Sequence, residues 1–167
     1  VATVAPYSTG TAVFTLNSAA VTGTATTWTG FEARKMARSY NAPWYRVSSV
    51  GSATTITLAR NYNEATATDV AYVIYQDEYD ISSSVDSIES ANLLVNGLQG
   101  PLVSVGRPVM DDYSVVQASA SKPVAVSLCI PTTAGTPRIR VTPVPDAIYA
   151  IQMTCLKSWT DLVIASG

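Results

Sequence analysis

Short runs of alternating apolar and polar residues, broken every eight to fifteen residues by Gly, Pro, Asn or Ser, fill the chain from end to end. No stretch longer than ten residues carries an apolar stripe at helical spacing. This pattern predicts an all-β protein, an antiparallel β-sandwich or small barrel of short strands with at most short helical turns. Residues 1–5 read as a lead-in strand ended by Pro6. In Thr11–Asn17 the residues Ala12, Phe14 and Leu16 share one face, which makes Phe14 a core residue. Thr22–Thr29 is small and β-branched, with Trp28 as its one large anchor, the kind of aromatic that plugs a small barrel. Phe31–Ser39 reads as a turn running into a strand, and Trp44–Val50 as its hairpin partner. Thr54–Ala59 sets Ile56 and Leu58 on one face. Tyr62–Asp69 is a polar excursion, and Val70–Gln76 is a strand whose Tyr72 and Tyr75 lie on opposite faces, one of them toward the surface or an interface.

The second half is less regular. Asp80–Asp86 is the best internal boundary, with Ser84 or Asp86 as cap of a short helical turn. Ile88–Asn96 alternates loosely, Gly97–Gly106 reads as a loop, and Pro108–Gln117 holds one helical turn at most. Lys122–Ile130 is a strand started by Pro123, where a missing N–H is tolerated. Arg138–Thr142 is a short strand with its arginines on one face. Ala147–Trp159 is a long strand that sets Ile148, Ala150, Gln152 and Thr154 against Tyr149, Ile151, Met153 and Cys155. The expected organisation is an N-terminal β module over residues 1–81, barrel-like at about 20–78, with residues 82–167 as a second β layer packed on it in one compact unit.

Composition narrows the function classes. With 167 residues, 47% hydrophobic and 13% charged, the chain can bury a sizeable core without staples. No apolar run approaches the roughly 20 residues of a membrane helix, so no membrane partner is expected. The net charge of −2 argues against nucleic acid as the main ligand. The given residues open with no charged, apolar and cleavable leader, so no signal peptide is expected within them, and a start before Val1 stays open.

There is no histidine, which excludes Ser-His-Asp and Cys-His mechanisms and every His-containing zinc site. Cys129 and Cys155 are too few for a four-thiolate site and read as buried thiols, a disulfide between neighbouring strands being the other reading. No glycine-rich phosphate loop is present. The acids Asp77, Glu78 and Asp80, and the pair Asp111 and Asp112, suit neither a glycosidase cleft nor a calcium loop, and read as solvated acids at strand ends. Nothing in the spacing favours a Ser/Lys dyad through Lys122 or Lys157. The chain is therefore expected to be no enzyme and to need no cofactor or metal. Trp28, Trp44, Tyr40 and Tyr45 lie close enough in sequence for a sugar-stacking platform, against the plainer reading that both tryptophans are core. Arg34, Lys35, Arg38 and Arg46 are the only basic concentration, either a strip facing DNA or an acidic partner, or a solvated face.

Three stretches, YSTGTAVFTLNSAAVTGTATTWTG, APWYRVSSVGSATTITLARNYNEATATDVAYVIYQDEYDISSSVDSI and more faintly RVTPVPDAIYAIQM, make the chain resemble the β-rich head-to-tail connector (neck or adaptor) proteins of tailed bacteriophages. The resemblance covers residues 7–88 well and the rest weakly. Ala25 stands where such sequences often have Gly, and Ser82 where they often have Pro. The resemblance implies a non-enzymatic virion protein, assembled in the host cytoplasm as a ring of identical copies, with portal and tail proteins as neighbours and DNA passing by. A carbohydrate- or host-receptor-binding β-sandwich of a tail fibre or tip, and a capsid decoration protein, are the alternatives.

Overall fold

The computed structural model describes residues 1–95, 98–110, 119–129 and 136–157. The protein is nearly all β, and its strands form two curled sheets, each a half-barrel. The first holds β1 (Thr11–Phe14), β2 (Ala20–Thr24), β3 (Lys35–Ala37), β4 (Trp44–Ser52), β5 (Thr55–Leu58), β6 (Ala67–Val70) and β7 (Val73–Tyr75), in the order β6-β1-β2-β5-β4-β3-β7. The second holds β8 (Glu78–Asp80), β9 (Val85–Val95), β10 (Leu98–Ser104), β11 (Ala125–Cys129), β12 (Arg138–Thr142) and β13 (Ala150–Lys157), in the order β13-β9-β10-β11-β12-β8. Pairing is antiparallel except between β10 and β11.

The first sheet curls because its end strands, β6 and β7, are separated in sequence only by Ala71 and Tyr72. Tyr7 lies along the outer edge of β7, exchanging two 2.8 Å backbone hydrogen bonds with Ile74. Inside, Phe14, Val21, Trp28, Met36, Tyr45, Ile56, Tyr62 and Ile74 form one core. Trp28 is its plug: its indole N–H donates to the Tyr72 hydroxyl at 2.9 Å, which donates onward to the Thr9 carbonyl at 2.5 Å. Gly23 makes room for it, since a Cβ there would sit 2.6 Å from the Trp28 ring.

The second sheet encloses a separate core of Tyr79, Ala91, Leu93, Leu102, Val126, Ile139, Val141 and Ile151. β13 alternates as expected, with Ile151 and Met153 on the core side. β3 and β7 are buried along their whole length. One face of each lies in the first core, and the other packs Ala37, Val73 and Tyr75 against Val144 of the second half. Tyr72 and Tyr75 are therefore both buried, and neither reaches the surface.

Several segments differ from the sequence reading, each for a local reason. β1 stops at Phe14 because the chain turns through Asn17 at φ 62°, leaving Leu16 exposed. The polar excursion supplies β6. Gly97–Gly106 is largely strand β10 rather than loop. Its Pro101 is tolerated because β11 joins only at Val103 and Ser104, so β10 has a single neighbour at Pro101. No helical turn starts at Ser84 or Asp86, since β9 begins at Val85. One helical turn does occupy residues 107–110. The chain leaves the first sheet after Tyr75 and enters the second at Glu78, earlier than the expected boundary, and residues 1–4 lie on the second sheet through the bridge between Ala2 and Ala150. Cys129 and Cys155 are half-buried and form no disulfide with each other, lying on β11 and β13, which are not neighbours. Asp111, Asp112 and Trp159 lie outside the described residues.

Ala25 adopts φ 55° and Gly10 φ 82°, both in the left-handed region that disfavours a Cβ. Ala25→Gly should stabilise the protein by up to about 1 kcal/mol, whereas Gly10→Ala, whose Cβ would lie 2.3 Å from the Thr24 carbonyl, should destabilise it by more than that. Urea denaturation of the two variants beside the wild type checks both signs.

Candidate functional site

The residues with the strongest chemistry meet where the chain crosses from the first sheet to the second. β3 and β4 place Lys35 and Arg46 opposite each other, because their register pairs the two residues. β12 runs beside β8 with Arg138 opposite Asp80 and Arg140 opposite Glu78. Between them lies Asp77, whose carboxylate accepts from Lys35 Nζ at 2.8 Å and from Arg140 Nε at 3.2 Å. Glu78 is 3.4 Å from Lys35 Nζ, 3.4 Å from Arg46 and 3.8 Å from Arg138, and Arg138 Nε meets Asp80 at 2.7 Å. Lys35 and Asp77 are 4% and 5% exposed, so their charges are stabilised by each other and by their neighbours rather than by water. Burial alone would raise the Glu78 carboxyl's pKa, but Lys35 and Arg46 outweigh it and hold the group below the ordinary carboxylate range.

A cleft of ≈ 70 Å³ opens beside this cluster, with Glu32, Ala33 and Arg34 on its wall. That is room for about two waters, far from the several hundred Å³ of a small-molecule pocket. The arrangement joins the two sheets.

The four cations expected as one basic strip have different surroundings. Lys35 is buried and Arg46 half-buried, and both are paired with acids. Arg34 is half-buried with its guanidinium 5.0 Å over the Phe31 ring. Arg38 is exposed and lines a groove of ≈ 390 Å³ with Ser39, Ala42, Glu64, Val70 and Ala71. The expected aromatic platform is divided as well. Trp28 and Tyr45 are core, Tyr40 packs on Tyr75, and Trp44 alone is 40% exposed, with Lys35 Nζ 4.6 Å from its ring.

Asp77, Glu78 and Asp80 were expected to be solvated acids, but Asp77 is buried and all three are ion-paired. The sequence signal that could have found this is cross-strand charge complementarity: DEYD and RIR both repeat charge at alternate positions, as facing strands of opposite sign do. No protein-family model, no curated protein and no solved structure matches this chain.

Removing one member of a buried pair strands the other. Asp77→Leu should cost about 3–5 kcal/mol, and the double variant Asp77→Leu/Lys35→Met should recover most of it. Denaturant midpoints of the two variants decide this; equal losses would mean that Asp77→Leu leaves no stranded charge on Lys35.

Proposed function

We propose that this chain is a structural subunit of a tailed-bacteriophage virion, assembling as a homo-oligomeric ring in the head-to-tail connector, where it joins portal to tail. The reading rests on the sequence resemblance over residues 7–88. The observation that carries it furthest is the chemistry of the outward sheet faces. On the first sheet the exterior rows are Val13, Thr22 and Thr55, then Thr11 and Thr24, then Ala20 and Thr57. On the second they are Pro101, Asn92 and Gln152, then Ser90 and Thr154. None of these side chains is charged. Rows of uncharged, mostly small side chains lack the groups that keep copies apart, and suit packing against identical neighbours. The ion-pair cluster suits a subunit under mechanical stress by linking the two half-barrels through Lys35, Asp77 and Arg140.

Native mass spectrometry of the purified protein, alone and with its portal, should show a closed ring of one stoichiometry. A monodisperse monomer at high concentration in both samples would overturn the reading. Thr22→Arg/Thr55→Arg, which puts charge on an exterior row, should shift the population toward monomer by at least tenfold in dissociation constant while leaving the far-UV circular dichroism unchanged. Within the ring, contact with passing DNA would fall to Arg38, the exposed member of the basic group. Arg38→Glu should lower DNA retention in assembled particles, and unchanged retention removes that contact.

Trp44 favours a second reading, a carbohydrate-binding tail component, because it keeps a partly exposed indole. Glycan binding lost in Trp44→Ala, by a protein that stays monomeric, would select it.

A further inference from the structure

The chain crosses between the two sheets at residues 4–7 and again at 75–78. The Tyr79 hydroxyl links both crossings, accepting from the Val4 N–H at 3.3 Å and donating to the Gln76 carbonyl at 2.9 Å. Asp77 sits on the second crossing, where its backbone carbonyl accepts from the Val141 N–H of β12. Lys35 reaches its side chain from β3, and the contact has more parts than an ordinary ion pair. The Lys35 Nζ lies 2.8 Å from Asp77 Oδ2 and 3.4 Å from Glu78 Oε1. One amine thus meets a first carboxyl group as a bonding partner and a second as an acceptor for its protons. The Trp44 ring, centred 4.6 Å from the same nitrogen, covers it on a further side. Lys35 and Asp77 are buried, whereas Lys122 and Lys157 are exposed.

We propose that Lys35 and Asp77 join covalently, through an isopeptide bond that the folded protein forms on itself, with Glu78 as the catalytic proton relay. The bond between Lys35 Nζ and Asp77 Cγ forms, one Cγ–O bond of Asp77 breaks, and one water leaves. The Lys35 ammonium gives up two protons and the departing oxygen takes both. Glu78 accepts the first, which frees the Nζ lone pair for attack on Cγ, and passes it to the departing oxygen. The second follows by the same route, so Glu78 ends as it began. Arg140, whose Nε is 3.2 Å from Oδ2, faces the oxygen on which negative charge builds as Nζ adds. No oxidant, cofactor or outside group takes part.

Two features of the site favour the amide over the ion pair. In open solution hydrolysis prevails because water is abundant. Here burial keeps bulk water from the pair, and the cleft of ≈ 70 Å³ lined by Lys35, Asp77 and Glu78 receives the water released. Desolvation acts in the same direction, since two buried charges are costly and a neutral amide removes both. Fixed geometry supplies the rate. The β3–β7 register sets Lys35 opposite Tyr75, two residues before Asp77, so amine and carboxyl group are held together once the first sheet closes. The bond needs no second copy of the chain, and its test is independent of ring assembly.

That test is intact-mass spectrometry of the denatured full chain. The wild type should weigh one water less than its sequence, and protease digestion should release a branched peptide in which the Lys35 fragment is joined to the Asp77 fragment. Lys35→Met should show the full mass of its sequence. In samples taken at intervals after cell-free synthesis, Glu78→Gln should form the bond about a hundredfold more slowly than the wild type, the lower end of what a positioned proton relay contributes. Asp86→Asn, on an exposed site of β9, should form it at the wild-type rate. A wild type that keeps its full mass, or a lost water that maps to another site, would overturn the proposal. Equal rates for the wild type and Glu78→Gln would overturn the relay. The wild-type mass and peptide map decide the bond whether or not any variant folds.

Discussion

The Asp77 carboxylate takes Lys35 from one sheet and Arg140 from the other, and the rest of the architecture depends on that double attachment. Two half-barrels with separate cores have little apolar surface left to hold each other. A buried ionic contact compensates poorly in net energy, because desolvating the charges offsets most of their attraction, but it is demanding in geometry. What it supplies is a fixed relation between two otherwise independent bodies. The backbone reinforces this at the same point, where the Val141 N–H donates to the Asp77 carbonyl at 2.9 Å.

Each half-barrel in turn solves the edge problem of a short, strongly curved sheet. In the first, Tyr7 pairs with Ile74 and so covers the outer edge of β7 at that point. In the second, residues 1–3 cover the start of β13, and irregular pairing at Thr154/Cys155 and Leu156/Lys157 disrupts the far end.

Local pattern carried most of the first half-barrel. Phe14, Ile56 and Leu58 declared themselves by alternation, Trp28 as the one large residue of its stretch, and the hairpin of β3 and β4 by its turn residues. Alternation on β13 was equally plain. What escaped was long-range. Val70–Gln76 looked like one strand, yet Ala71 and Tyr72 interrupt it so that β6 and β7 can close opposite ends of one sheet. β10 was hidden by its Gly and Pro, whose penalty depends on whether a second neighbour is present. The ionic cluster was invisible for a related reason: a lysine in KMA and an aspartate in DEYD look like surface until the fold shows that both crossings meet there. Charge alternation in DEYD and RIR was a legible clue to the pairing of β8 with β12, but only in hindsight of their adjacency.

The pairing of residues 1–3 with 147–151 sets an order of events on the ribosome. The first half-barrel uses residues 7–75 and can close while the second is still being made. Residues 1–3, made before the first half-barrel, belong to the sheet completed after it, with hydrogen bonds spanning up to 150 positions. Until β13 emerges, the opening segment has no partner strand, and the second core lies open along β9. Slow, non-local closure of this kind leaves a nascent chain with one finished body and one adhesive sheet. Crowded synthesis of many identical copies therefore places the risk of premature association in the second half of the molecule.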